Sequence, residues 1–583
     1  MSASDDNTRR LAALDHAHVW HPFTPMKQWR ETEPVIIDRG EGEFLFDTRG
    51  NRYIDGVSSL WCNVHGHRVP EIDAAIRAQL GNIAHSTLLG LASPPSIELA
   101  ARLVVIAPGA KATEDKLPLP PGEGWGEGRT TLCDWFTTFV FFSLPERGGV
   151  CRRRGGRMAI ASISVLRALT PALSRRERGP DAGRLNKVFY SDAGATALEV
   201  AFKMAVGYWF HRGQPQRSKF IGFTGAYHGD TTGSMSVGYS EVFHKPYVSM
   251  VFPTYFAPVP DPVRLLRNGG KLPAPLAGIS SNPDRVHAAW PSEQPVLGDF
   301  LRQASLGELE ALLSQHADEI AGIVIEPVMQ GAAGMICQPP GFLRGVAELA
   351  KKYNTLLIAD EVATGFGRTG CMFACQHENI QPDILCLGKG LTGGYLPLAA
   401  TLCTDAIEQA FTGELSDRKT LYHGHTFCGN ALGCAAALAS LDLFEKNKLL
   451  EHIRRSAVLI SKRLDALRDH RAFPTVIDVR QRGLMIGIEL DPQSPRIPMR
   501  GLSPRSDQAA SNQAPAGSSG TAEPADDYGS PLGAALCHAM RRQGLIIRPL
   551  GNVLVLMPVP AMPPASLNRM LDIVIDTLRH WAW

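Results

Sequence analysis

The chain has almost no charge of one sign to spare. Its 583 residues carry 59 Lys and Arg against 57 Asp and Glu, a formal net charge of +2. No field of the whole surface selects a polyanion, so neither nucleic acid nor an anionic membrane is an expected partner. Long apolar runs are missing too. The densest, at residues 139–144 with its flanks, falls far short of the roughly 18 residues that span a bilayer. The start, MSASDDNTRR, lacks the basic-then-apolar pattern of a secretory signal, which makes the cytoplasm the expected compartment. No CxxC pair occurs among the eleven cysteines, and Cys371 and Cys375 are spaced too widely for the common zinc knuckle. Reduced thiols fit this pattern best. With 44% hydrophobic and 20% charged residues, the remainder is ordinary globular material. At about 150 residues per domain the length suggests roughly four domains.

Three stretches break that texture and make the length misleading. Residues from about 110 to 183 mix turn formers, aromatics and arginine clusters with no sustained helical or strand period. Residues from about 268 to 295 read as a surface loop rich in Pro, Gly, Ser and Asn, and residues from about 503 to 530 as a polar, flexible excursion. Between the breaks, strand and helix alternate. KVFYSDAG is a short β-rich run that ends in small turn residues, and ATALEVAFKMAVGYWF follows it with helical spacing. KFIGFTGAYHGD, IAGIVIEPVMQG and TLLIADEVATGFG repeat the strand-to-loop pattern, with helical GFLRGVAELAKKYN between the last two. Continuous apolar runs of this kind are parallel strands buried on both faces, which predicts an α/β architecture. In such folds ligands collect at the carboxyl ends of the strands.

Chemistry is therefore sought just after the apolar runs. In DILCLGKGLTGG, Lys389 follows such a run between two glycines. A desolvated lysine loses basicity and can condense with a carbonyl, although an isolated lysine in a glycine turn is more often a surface residue. Asp360 raises its weight, because a carboxylate at the end of buried LLIAD needs a cation to offset desolvation. A protonated pyridine nitrogen would be such a cation. At SDAGAT, a strand-to-helix junction, Gly194 and Ala195 can offer backbone N–H groups to a phosphate. Each signal is weak alone. Together they supply the aldehyde partner, ring acid and phosphate cradle that pyridoxal phosphate requires.

TLLIADEVATGFGRTG followed by PDILCLGKGLTGG, with Asp360 and Lys389 29 positions apart, resembles the signature of the class III pyridoxal-phosphate aminotransferases. WHPFT at Trp20, SSLWCNVHGH at Ser58, GAYHGDT at Gly225, HGHTFCGN at His423 and IIRPLG at Ile546 are similar to its biotin-pathway branch. The resemblance spans nearly all of the chain outside the three irregular stretches. It implies a fold type I enzyme, with a mainly parallel large domain at about 70–440 and a small α+β domain formed by 1–69 and 441–583. It implies transamination of 8-amino-7-oxononanoate to 7,8-diaminononanoate. In a homodimer, the active site would lie at the subunit interface.

Residue by residue, the resemblance makes Lys389 the Schiff-base lysine and proton carrier, and Asp360 the partner of the ring nitrogen. Tyr227 would lie against the ring. Gly194 and Ala195 would hold the phosphate, with His425 and Thr426 reaching it from the partner subunit. Serine is common in relatives where Ala195 stands, so one hydroxyl contact is missing. Arg548 would pair with the substrate's distal carboxylate, Gly424 would contact substrate through its backbone, and Trp61 would line the pocket. Phe23 and Leu60 stand where the adenosylmethionine-using pattern has a tyrosine and a tryptophan, which leaves S-adenosylmethionine and lysine both open as donors. The pairs His65/His67 and His423/His425 have no third ligand at suitable spacing, and no metal is expected. Two rivals stay open: an ω-aminotransferase for ornithine, 4-aminobutyrate or another diamine, and an impaired scaffold of the same fold.

Overall fold

The computed structural model describes residues 3–109, 183–261, 295–469, 471–491 and 532–581. Apart from their end positions, the three irregular stretches lie outside the described residues.

Among those residues, seven strands form the central sheet: β1 (Leu185–Ser191), β2 (Lys219–Phe223), β3 (Tyr255–Ala257), β4 (Ile320–Ile325), β5 (Leu356–Asp360), β6 (Ile384–Leu387) and β7 (Ala399–Thr404). Their order is β1-β7-β6-β5-β4-β2-β3. Only β7 runs against its neighbours, pairing antiparallel with β6 and β1. The other pairs are parallel, so the sheet is mainly parallel, as the unbroken apolar runs require. Every residue of β4, β5, β6 and β7 is buried.

Burial on both faces follows from the helices. Helix Gly194–His211 buries Ala197, Leu198, Ala201, Phe202, Ala205 and Trp209, a spacing of three and four that gives one apolar stripe. That stripe packs with Leu356, Ile358, Ile384 and Cys386. Helix Phe342–Lys352 buries Phe342, Leu343, Val346 and Ala350, and these join Leu357 and Ala359 on the other side. Alternate residues of β5 thus face opposite layers. Each large side chain so buried contributes about 1.5–3 kcal/mol of transfer free energy. A polar group is retained at a strand end only where it finds partners.

Besides a two-stranded ribbon at 329–337, two four-stranded sheets accompany the central one among the described residues. Strands Ile37–Glu41, Phe44–Asp47 and Arg52–Asp55 form one with Leu545–Ile546, which pairs parallel to the third in the register Leu545↔Ile54. The beginning and end of the chain therefore share a sheet. The other comprises Val476–Arg482, Met485–Leu490, Val553–Leu556 and Arg548–Leu550, and it carries Arg548.

Candidate active site

The loops that leave β2, β4, β5 and β6 at their carboxyl ends surround a cavity of about 400 Å³. Asp360 closes β5 inside it, at 4% exposure. Its Oδ1 accepts the Val362 N–H at 3.0 Å, and its Oδ2 lies 2.7 Å from His228 Nδ1. Burial alone would push the His228 imidazolium down, but the neighbouring Asp360 carboxylate outweighs it and raises the group above its ordinary value.

Lys389 enters the cavity from the turn after β6, with a left-handed φ of 40°. Burial lowers its pKa, while Asp360 and Glu326 act in the opposite direction and Arg368 adds to the lowering. Its Nζ stands 5.0 Å from the Trp61 ring centroid. Trp61 is buried and ends the left-handed turn Ser58–Trp61, whose non-glycine residues each cost about 1–2 kcal/mol in that conformation.

The N-terminus of helix Gly194–His211 forms another wall, with Gly194 and Ala195 lining the cavity. The first N–H groups of a helix have no partner within it and favour an anion. Glycine is required at 194, because a Cβ there would stand 2.5 Å from Val362 Cγ1. Tyr227 and Asp230 complete this side, and the Tyr227 hydroxyl donates to Asp230 Oδ2 at 2.7 Å. Burial and that carboxylate raise the phenol's pKa.

Two acids in this region escaped the reading of motifs. Glu326 follows β4, lines the cavity and accepts N–H bonds from Tyr227 at 3.1 Å and Gly331 at 2.9 Å. Burial pushes it up to about 7. Glu361, beside Asp360 in sequence, is also raised to about 7 by burial, but it turns away to accept the N–H groups of Ala374 and Cys375. A carboxylate ending an all-apolar strand, the same pattern that marks Asp360, was available for Glu326 in IAGIVIEP. His228 was equally legible as the residue after Tyr227.

The remaining site residues are arranged around this group at different distances. Arg548 is half-buried, 6.0 Å from the Phe23 ring centroid and near enough to influence the Tyr227 phenol. Phe23 and Leu60 are exposed, and with Gly424, Thr426, His425 and Arg548 they stand outside the lining of the cavity. His425 Nε2 is 3.7 Å from Asp192 Oδ1 of the same chain, two positions before Gly194. His65 bonds Ser440 at 3.0 Å and His67 bonds Asp55 at 3.1 Å, so each finds a protein partner of its own.

The chain that builds this cavity has relatives among known proteins, in sequence and in fold. An adenosylmethionine-8-amino-7-oxononanoate aminotransferase of Geobacter sulfurreducens is 40% identical over 568 residues, 97% of each chain. The crystal structure of the Methanocaldococcus jannaschii enzyme of that name aligns with a TM-score of 0.70 at 34% identity, over 99% of this chain and 100% of that one. An amine transaminase from an uncultivated Pseudomonas species, solved with pyridoxal phosphate bound, aligns with a TM-score of 0.67 at 26% identity, over 97% and 99%. The aminotransferase class-III family matches residues 26–117 and 165–578. With fold and sequence in agreement over almost its whole length, the chain belongs to the class-III aminotransferases.

Proposed function

We propose that this aminotransferase converts 8-amino-7-oxononanoate to 7,8-diaminononanoate in biotin biosynthesis; its Geobacter and Methanocaldococcus relatives are named as aminotransferases of adenosylmethionine and 8-amino-7-oxononanoate. The observation that carries the reading is the joint position of Arg548 and Tyr227. A half-buried guanidinium outside the cavity lining, yet close enough to act on the Tyr227 phenol, suits a substrate whose carboxylate lies at the far end from its reacting carbon.

Pyridoxal phosphate is the cofactor, and the residues present fit it. Asp360 offers a buried carboxylate to a protonated ring nitrogen, Lys389 an amine to an aldehyde, and Gly194 with Ala195 backbone N–H groups to a phosphate. When bound, the cofactor supplies a sink for the electrons left as a proton departs the nitrogen-bearing carbon. In this proposal the Lys389 Nζ takes that proton and returns it to complete each half of the exchange. Its burial keeps the amine less basic and better able to do both. Asp360, oriented by His228, would hold the ring nitrogen in its protonated form. Tyr227 orients the substrate, and Trp61 excludes water from the side facing Lys389.

A homodimer is part of the proposal. Thr426, Phe427, Leu60 and Leu89 are exposed, and His425 with Thr426 would complete the phosphate site of a second copy. The working compartment is taken to be the cytoplasm, a reading supported by the free thiols among the described residues. No described helix is long and apolar enough to cross a membrane.

Purified protein should be supplied with the keto acid and with S-adenosylmethionine or lysine in turn, and 7,8-diaminononanoate quantified. No product with either donor, alongside turnover of ornithine or 4-aminobutyrate, would transfer the assignment to an ω-aminotransferase.

A further inference from the structure

Ser58, Ser59, Leu60 and Trp61 have φ values of 50°, 51°, 82° and 69°. They make one left-handed turn, closed by the Trp61 N–H to Val57 O at 2.8 Å and the Cys62 N–H to Ser58 O at 3.1 Å. Residues other than glycine enter this region singly, not as a run of four. Strain of this kind persists only where the surroundings over-determine it.

Two buried groups hold the turn. Asp55 accepts the Ser59 N–H at 2.9 Å and the Ser59 hydroxyl at 2.7 Å. Arg368, 1% exposed, donates from Nη1 to Ser58 Oγ at 3.1 Å and to the Pro558 carbonyl at 2.9 Å. Its Nη2 donates to the Asn63 carbonyl at 2.9 Å. Ser58 Oγ in turn donates to the Met557 carbonyl at 2.6 Å. All three acceptors of the guanidinium are neutral, although a buried cation is more cheaply kept against a carboxylate. Burial accordingly pulls its pKa down to about 10. What the arrangement achieves is mechanical: Ser58 and Asn63, on either side of Trp61, are both tied to the 557–558 segment. The ring thus clamped is the one that faces Lys389 Nζ.

We propose that Arg368 is a positioning residue of the active site, which locks the left-handed turn and so holds Trp61 as the wall against which substrate meets Lys389. The kinetic half of this inference rests on the transaminase reading above; the structural half does not.

Arg368→Lys keeps the charge and loses the fork, and Ser58→Ala removes one acceptor of the guanidinium, together with the Ser58–Met557 bond, while leaving the cation in place. In apo protein, hydrogen exchange followed by mass spectrometry should be faster by about tenfold in Ser58→Ala across residues 58–63, the scale of one hydrogen bond to a charged group. Peptides of β4, β5 and β6 should be unchanged. Arg368→Lys should show a larger increase in the same segment, and the Ser58→Ala result decides the matter if that variant does not fold. With the loaded enzyme, KM for the keto acid should rise by about tenfold and kcat by much less than that should fall. Unchanged exchange at 58–63, an increase spread evenly over the chain, or a KM equal to wild type in both variants would overturn the proposal. Were 8-amino-7-oxononanoate inert with wild-type protein, the substrate assignment would fall, while the exchange pattern would still decide the role of Arg368.

Discussion

His228 Nδ1 lies 2.7 Å from Asp360 Oδ2, and neither side chain is appreciably exposed. The pair joins the loop after β2 to the end of β5, across β4, and fixes the direction in which the carboxylate points. A buried carboxylate left to rotate would lose most of its value to a cationic partner, since the attraction depends on distance and on shared desolvation.

Replacing His228 by Ala should therefore weaken the hold on pyridoxal phosphate without abolishing the fold. A hydrogen bond to a charged group contributes about 1.5–3 kcal/mol, so the dissociation constant is expected to rise roughly ten- to hundredfold. Titration of apo protein with cofactor, followed by absorbance, measures this directly. Wild-type affinity in the variant would mean that Asp360 is oriented by something else.

Lys389→Ala is expected to remain folded, because the change removes a buried amine whose charged form is disfavoured by desolvation. Turnover should fall by at least about 10³-fold, the upper range attributed to a positioned proton carrier. Circular dichroism and product formation test the two halves. Retained turnover would remove Lys389 from the mechanism.

Arg548→Met separates recognition of the carboxylate from the chemistry. KM for 8-amino-7-oxononanoate should rise about tenfold or more, as befits the loss of a charge-assisted pair. The half-reaction with a donor amine that carries no carboxylate should proceed at the wild-type rate. An equal loss with both substrates would show that Arg548 supports the structure of the site rather than the substrate.

The sheet was legible because its strands are unbroken apolar runs, as in IAGIVI and LLIAD, and runs of that kind occur where both faces are covered. Asp360 and Lys389 were legible for a related reason: a polar residue ending such a run needs a partner or a task. Glu326 carries the same mark and was passed over, since no motif drew attention to it. Arg368 was harder to foresee. Its value lies in joining Ser58, Asn63 and Pro558, positions up to 310 residues away, and nothing in GFGRTG announces a left-handed turn elsewhere in the chain. The antiparallel direction of β7 was hidden likewise, because burial sets the composition of a strand and the connection before it sets the direction.

Glu326 supplies a prediction about pH. Its ordinary value is near 4.5, and burial pushes it up to about 7 in the folded protein. Between those values the folded state binds more protons than the unfolded chain, so this group's contribution to stability is fully present below about pH 4.5 and declines as pH rises through 7. His228 and Asp360 face it with opposing influences, and Lys389 stands within reach of its charge. Glutamine cannot ionise, and it keeps an oxygen for one of the two N–H groups of Tyr227 and Gly331 that the carboxylate accepts. The unfolding free energy of Glu326→Gln relative to wild type should therefore increase by roughly 2–3 kcal/mol between pH 5 and pH 8, and level off above. Glu361 titrates over the same interval in both proteins, so its effect cancels in the difference. Chemical denaturation of the apo proteins at several pH values gives the curve. A difference independent of pH would mean that the Glu326 carboxyl ionises at its ordinary value, with water or the N–H groups of Tyr227 and Gly331 offsetting the cost of burial.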